Sequence, residues 1–377
     1  MSQNGDDSEE VHLPPVLKAS VHDVRYFAAL LRGVNFVNRA TVTITKSGFV
    51  VVVEEARTLL GTAYIFADVF DEYTYNAESP AAPQDSQNSE PEEEDNSAFE
   101  IPLNTLIECL NIFGTAGASG SGAAAGGTTG KYKKWKRAGE DSDHDGDDDH
   151  GRGRRTSNGT SGGKGIEHYF GNGSEKGTGM RMTYAGSGFP LTLLIAEDAE
   201  GPTTTCEITT YEAEPHLQLP FESDRMVLKI ILKARQDGSS WLRDALSELD
   251  PSCDKLTFIG NPPPAVASGK QPRAANATPM LRIQAAGTFG STEMDYPNDR
   301  DVLETFECTR PVSFSYRFGH ISRTLRALQS STKTSLRIDD EGLLSLQFLM
   351  PSPKAKTEAT ADAFIEFRCL ALDDELV

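Results

Sequence analysis

The chain, 377 residues long, passes twice through one order of elements. In each pass a strand leads into a helix and then into further strands. An extended segment feeds a second helix, and a Gly-containing hairpin with a third strand closes the pass. The agreement is clearest at the two ends, "TYAGSGFPLTLLI" at 183–195 against "RIDDEGLLSLQFLM" at 337–350. This repetition constrains the fold more than any short motif. Two copies of one plan must bury the same faces twice, and two helices among many antiparallel strands per copy predict α+β domains with helices covering one face of each sheet.

The local signals fill in that plan. "VLKASVH" (16–22) reads as a strand, and Asp23 is placed to cap the helix "VRYFAALLRGVNF", where Val24, Phe27, Ala28, Leu31 and Val34 recur at helical spacing. "ATVTITKSGFVVVVEE" (40–55) predicts a hairpin, and "TAYIFADVFDEYTY" (62–75) a strand segment broken near Asp68. "FEIPLNTLIECLNIFG" (99–114) passes from extended chain into a helix with Leu103, Leu106, Ile107, Leu110 and Phe113 inward and Gly114 as its stop. The second copy restarts with the strand "RMVLKIILKA". Its helix "SSWLRDALSELD" turns Leu242, Ala245, Leu246 and Leu249 inward. The fourth helix, "GHISRTLRALQSS", buries Ile321, Leu325 and Leu328, and three strands follow it. Between the copies, 214–224 ("EPHLQLPFESD") is aperiodic and Pro-bearing, and reads as a connector.

The boundaries expected are therefore a tail at 1–14, a first domain at 15–213, the connector at 214–224, a second domain at 225–371 and an acidic tail at 372–377. Segments 76–97 and 115–178 read as disordered insertions, and 261–278 as a Pro/Gly/Ala-rich loop insertion. The net charge of −20 argues against a generally basic nucleic-acid binder but leaves room for a local basic surface. The first ten residues are acidic and polar, unlike a secretory signal, and no apolar run approaches the ~20 residues a membrane span needs. The sequons at Asn158, Asn172 and Asn276 then read as chance. The five cysteines (Cys109, Cys206, Cys253, Cys308 and Cys369) are widely spaced without a C-x-x-C pair, and read as buried free thiols in a reducing compartment.

Several stretches carry the resemblance to a known family: "ATVTITKSGFVVVVEEA", "FEIPLNTLIECLNIFG", "GSGFPLTLLIAED", "LRDALSELD", "TFGSTEMDYPNDRDVLETFEC" and "TKTSLRIDDEGLLSLQFLM". In this order and spacing the chain resembles the Rad-one subunits of the nine-one-one checkpoint clamp, relatives of the proliferating cell nuclear antigen. The resemblance implies two tandem clamp domains and a ring around duplex DNA formed with two paralogous subunits. It also implies a replication-factor-C-like loader, recruitment of a checkpoint-kinase activator and repair enzymes, and action in the nucleus with no cofactor. A 3′→5′ exonuclease is the enzyme-class alternative; it would need ordered carboxylates gathering two metals ~3.5–4 Å apart.

A sliding ring must hold phosphates without reading bases, through long-range attraction from basic groups. Arg25, Arg32, Arg243, Arg323 and Arg326, on helix faces opposite the apolar ones, are the candidates; ordinary solvated charges are the plain alternative. By resemblance, subunits join through edge strands at "TCEITTYE" (205–212) and "STEMDY" (291–296), which place Cys206, Ile208, Tyr211, Thr292, Met294 and Tyr296 at the joints. Leu217, Leu219, Pro220 and Phe221 are candidates for a partner-peptide pocket, or else pin the connector to the body. "KYKKWKR" supplies Lys131, Lys133, Lys134, Lys136 and Arg137 as a candidate import signal, or an idle charge block.

Two other motifs fail on chemistry. "DSDHDGDDDHGR" (141–152) opens like a calcium loop with Asp141, Asp143, Asp145 and Gly146, but Arg152 stands where a bidentate Glu is required. "GGTTGKY" lacks the first Gly and the hydroxyl of a phosphate loop, having Ala125 and Tyr132 there. The seven histidines are scattered, and no catalytic constellation or metal site emerges.

Overall fold

The computed structural model describes residues 14–78, 96–114, 177–197, 201–233, 241–263, 279–296, 302–353 and 362–373. The candidate import signal and the calcium-like phrase lie outside these residues. So do most of both tails and most of the three insertions.

The first copy runs β1 (Leu17–Val21), α1 (Val24–Gly33), β2 (Arg39–Thr45), β3 (Gly48–Glu55), β4 (Leu59–Phe66), β5 (Glu72–Tyr75), β6 (Ser97–Pro102), α2 (Leu103–Leu110), β7 (Gly179–Tyr184), β8 (Leu191–Ala196) and β9 (Thr203–Ile208). A two-residue strand, β10 (Tyr211–Glu212), leads into the connector. The second copy runs β11 (Met226–Lys233), α3 (Trp241–Glu248), β12 (Cys253–Gly260), β13 (Leu281–Gly287), β14 (Gly290–Tyr296), β15 (Leu303–Cys308), β16 (Val312–Arg317), α4 (Phe318–Arg323), α5 (Leu325–Ser330), β17 (Lys333–Asp339), β18 (Leu344–Met350) and β19 (Ala363–Cys369).

The pairings repeat as the element order does. In the first copy β5-β1-β7-β8-β9 are neighbours and β6-β2-β3-β4 are neighbours; in the second the same chains are β15-β11-β17-β18-β19 and β16-β12-β13-β14. One join breaks the separation. β4 pairs with β19, from Tyr64 opposite Phe364 to Leu59 opposite Cys369, and fuses the two copies into a sheet of ten strands. The core is continuous across this join, with Leu59, Ala63, Ile365 and Phe367 buried in it. Two ring pairs seal the junction: Tyr64 stacks on Phe364 at 4.4 Å, and Phe36 meets Phe367 at 6.0 Å.

Local chemistry explains the elements. The Asp23 side chain accepts from the Arg25 N–H at 2.9 Å, as a helix cap should. The run Val50–Val53 favours the extended chain of β3. The two matched hairpins turn on Gly188 (φ +83°) and Gly342 (φ +87°), where a side chain would be strained. The strand segment at 62–75 is divided by a 3-10 turn at Ala67–Val69, at the expected break. Two details depart from expectation. The fourth helix is two pieces, because Thr324 closes α4 and opens α5. β15, in "DVLETFEC", was not foreseen, since it lacks a clear apolar alternation; its burial runs buried, exposed, then mostly half-buried.

Candidate nucleic-acid interface and subunit edges

The helices form one row in the order α2, α1, α5, α3, with α4 joined to α5. α1 and α5 meet at a close approach: a Cβ on Gly33 would lie 3.5 Å from Ala327 Cβ and would collide with Ile365. The residues next to these two, Arg32 and Arg326, therefore flank the seam between the copies. Burial, and then the charge of Arg326, hold the Arg32 guanidinium below its ordinary value. Arg326 is exposed, and among the described residues no carboxylate lies within ion-pair distance of it.

The other three candidate arginines have carboxylate partners. Arg25 grips Asp23, with Nε 2.9 Å and Nη2 2.7 Å from Oδ2. Arg243 donates to its neighbour Asp244 at 3.1 Å. Arg323 makes a two-pronged pair with Glu55 at 3.1 and 3.0 Å. The first two partners were visible in the sequence, one or two residues away. Glu55 stands 268 positions from Arg323, and only the fold unites them. α2 contributes Asn104, Thr105 and Glu108 to the surface and no basic group.

Among the described residues β9 pairs on one side only, with β8, and β14 on one side only, with β13. Of the candidate joint residues, Thr292 is exposed, Cys206 and Met294 are half-buried, and Ile208 and Tyr296 turn their side chains into the core. The last two can contribute only backbone to a neighbour across the edge. Tyr211 corrects the sequence reading. The stretch 205–212 is not one edge: the chain leaves β9 after Ile208, and Tyr211 pairs with Glu100 of β6 in the ten-stranded sheet. Thr210 marks the departure, its hydroxyl donating to the Phe189 carbonyl at 2.7 Å.

The connector lies on a small apolar patch where Leu219 packs with Val52, Leu60 and Leu343, with Leu217 and Phe221 alongside. Polar bonds hold it at both ends. Near its start, Glu100 accepts from the Glu214 N–H at 3.0 Å and pairs with Arg39. Near its end, Arg368 donates to the Leu219 carbonyl at 2.6 Å, and Arg337 lies 4.7 Å over the Phe221 ring. Leu219 is thus occupied in pinning the connector, Leu217 and Phe221 are half-buried beside it, and Pro220 is exposed. Glu366 sits beneath, bonded to Arg337 at 3.0 Å, Arg368 at 2.8 Å and the Ser345 hydroxyl at 2.7 Å. Burial holds the Arg337 guanidinium below its ordinary value, and Glu366 opposes that shift.

The cysteines are free, but only Cys369 is buried; the other four are half-buried, which corrects the reading of all five as core thiols. Burial pushes the Cys369 thiol up to about 12. Among the described residues no three His, Cys, Asp or Glu side chains gather to hold a metal ion, and no helix is long and apolar enough to cross a membrane.

A duplicated plan in which the counterparts of the joined strands, β9 and β14, each pair on one side only among the described residues invites comparison with known proteins, and the model of one family, described as repair protein Rad1/Rec1/Rad17, matches residues 16–350. The chain belongs to this family. It is 28% identical to the cell cycle checkpoint protein RAD1 of Mus musculus, over 96% of this chain and 94% of the relative. It is also 28% identical to the DNA repair exonuclease REC1 of Mycosarcoma maydis, over 95% and 96% of the two chains. In fold it is similar to the proliferating cellular nuclear antigen of Entamoeba histolytica, with a TM-score of 0.56 at 10% identity, over 96% of this chain and all of that one. The architecture is thus the α+β sliding-clamp fold.

Proposed function

We propose that this chain is a non-catalytic subunit of a heterotrimeric DNA-damage checkpoint clamp. The observation that carries this reading is the internal junction. β4 and β19 already join two clamp units within the chain, and their counterparts β14 and β9 are left as unpaired edges at the two ends. A body that offers two such edges extends by main-chain pairing with further units. Two paralogous subunits of the same plan would complete a ring of six units, placed on DNA by a replication-factor-C-like loader and recruiting checkpoint and repair proteins in the nucleus.

Within that ring the helix row faces the duplex. Arg32 and Arg326 are the strongest phosphate contacts in this reading, because a phosphate between them relieves their mutual repulsion. Arg25, Arg243 and Arg323 each share their charge with a carboxylate. Co-expression with the two paralogous subunits, followed by gel filtration, tests the assembly: a defined three-chain complex is expected, and its absence rejects the reading. In the assembled ring, R32A/R326A is expected to lower affinity for circular DNA equally across sequences and to reduce the salt slope by about 1 per lost contact.

The exonuclease named for the fungal relative is the second reading. It predicts magnesium-dependent digestion of DNA ends by the purified chain. The buried carboxylates do not favour it: Glu100 and Glu366 are held by arginines, and Asp339 accepts from the backbone N–H groups of Glu341 and Leu343.

A further inference from the structure

The duplication supplies an internal standard for what a stable joint in this fold contains. The strand registers make β14 the counterpart of β4, with Tyr296 in the place of Ile65; they make β9 the counterpart of β19, with Ile208 in the place of Cys369. In the internal joint, the outward row of side chains sets Phe364 against Tyr64, Glu366 against Thr62 and Arg368 against Leu60. That row holds a stacked aromatic pair, and its one carboxylate is matched by arginines on both sides.

If β9 of one copy closed on β14 of another in the same register, the same three places would hold Thr203 against Asp295, Thr205 against Glu293 and Glu207 against Ser291. The aromatic stack is gone. Glu207 stands diagonal to Glu293, ~7–8 Å away, where like charges on neighbouring strands repel. The only cation on this face of β13 and β14 is Arg282, which already serves Glu293 at 2.9 Å and Asp295 at 2.6 Å. On β9, β13 and β14 three carboxylates then share one guanidinium, with Arg181 of β7 and Lys255 of β12 on the same faces two strands away.

We propose that Thr203, Glu207, Glu293 and Asp295 set partner specificity: they bar β14 of this chain from closing on β9 of a second copy, and they fit β14 to a strand of a different chain with basic side chains facing Glu293 and Asp295. This rests on the clamp-subunit reading and names the chemistry of its partner. The unlike partner is favoured over a second copy because both of this chain's own edges are acidic or uncharged on the outward row.

Sedimentation of the chain alone at ~20 µM, above the ~1 µM range of a modest specific complex, tests the bar to self-closure. The unaltered chain should sediment as a monomer. T203F/E207R/E293T/D295Y, which copies four of the six outward positions of the internal joint and restores its aromatic pair, should form larger assemblies. A self-assembling unaltered chain overturns the proposal, as does a folded four-site variant that stays monomeric, its folding checked by circular dichroism. In a far more concentrated solution, where even a barred joint self-associates weakly, the isosteric E207Q/E293Q, which changes only charge at exposed positions, should strengthen that association roughly threefold; no change there overturns the proposal even where the four-site variant unfolds. For the partner's side, E293K/D295K in the co-expressed complex should lose a subunit that E207Q retains, and equal retention overturns the basic-partner assignment. Failure of the clamp reading would look different: the unaltered chain would form no complex with paralogous subunits at all.

Discussion

The connector is anchored by a carboxylate at each end, and the two anchors are built differently. Glu100, near the start, is buried, but its partner Arg39 remains 57% exposed. Glu366, near the end, is buried between Arg337 and Arg368, whose side chains are only 19% and 25% exposed. At the first anchor, water still solvates the cation. At the second, two cations and one anion have been desolvated together, so each depends on the others. Some donors there stay unanswered, since Arg337 Nε and Arg368 Nε are buried without a hydrogen-bond partner. The comparison teaches that the same ion pairing holds a joint loosely or tightly according to how far the partner is removed from water.

Substitutions can break that contrast, beginning with the largest effect. Glu366→Ala leaves two arginines facing each other beneath the connector, and a loss of about 3–5 kcal/mol of stability is expected in denaturant titration. Leu219→Ala empties the patch between the anchors without touching either. It should cost about 2–3 kcal/mol and speed proteolytic cleavage at 214–224, since the side chain is 8% exposed. Glu100→Ala leaves Arg39 paired with Glu214 and open to water, so about 1–2 kcal/mol is expected by the same titration. Arg39→Ala should have the smallest effect of the four on thermal unfolding. Were Glu100→Ala to equal Glu366→Ala, the exposure of the partner would not be what separates the anchors.

Much of the fold was legible because it rests on local chemistry. Asp23 as a cap and the matched hairpin glycines are dictated by backbone geometry at single positions, whereas α2 stops at Asn111, ahead of the expected Gly114. The buried faces of all four helical stretches followed from spacing. The broken fourth helix and β15 were not foreseen. A Thr that ends one turn and begins the next leaves no periodic mark, and an edge strand with both faces partly wet does not alternate cleanly. For the candidate site, the sequence supplied the basic helix positions but could not rank them. Arg25 and Arg243 have acids within two residues, a signal that spacing rules can weigh. Arg323 and Glu55 come from different copies, and nothing near either residue announces the other.

The sequence by itself determined the duplicated plan, the helix faces, the turns and the division into two units, because each depends on residues within one or two turns of one another. The tertiary structure alone decided that β4 and β19 fuse the units and that β9 and β14 remain open. It also decided that Gly33 lets Arg32 and Arg326 stand at one seam, and that Leu219 is held under the connector. Those outcomes depend on contacts between residues tens to hundreds of positions apart, where packing and desolvation act on whatever the chain brings together.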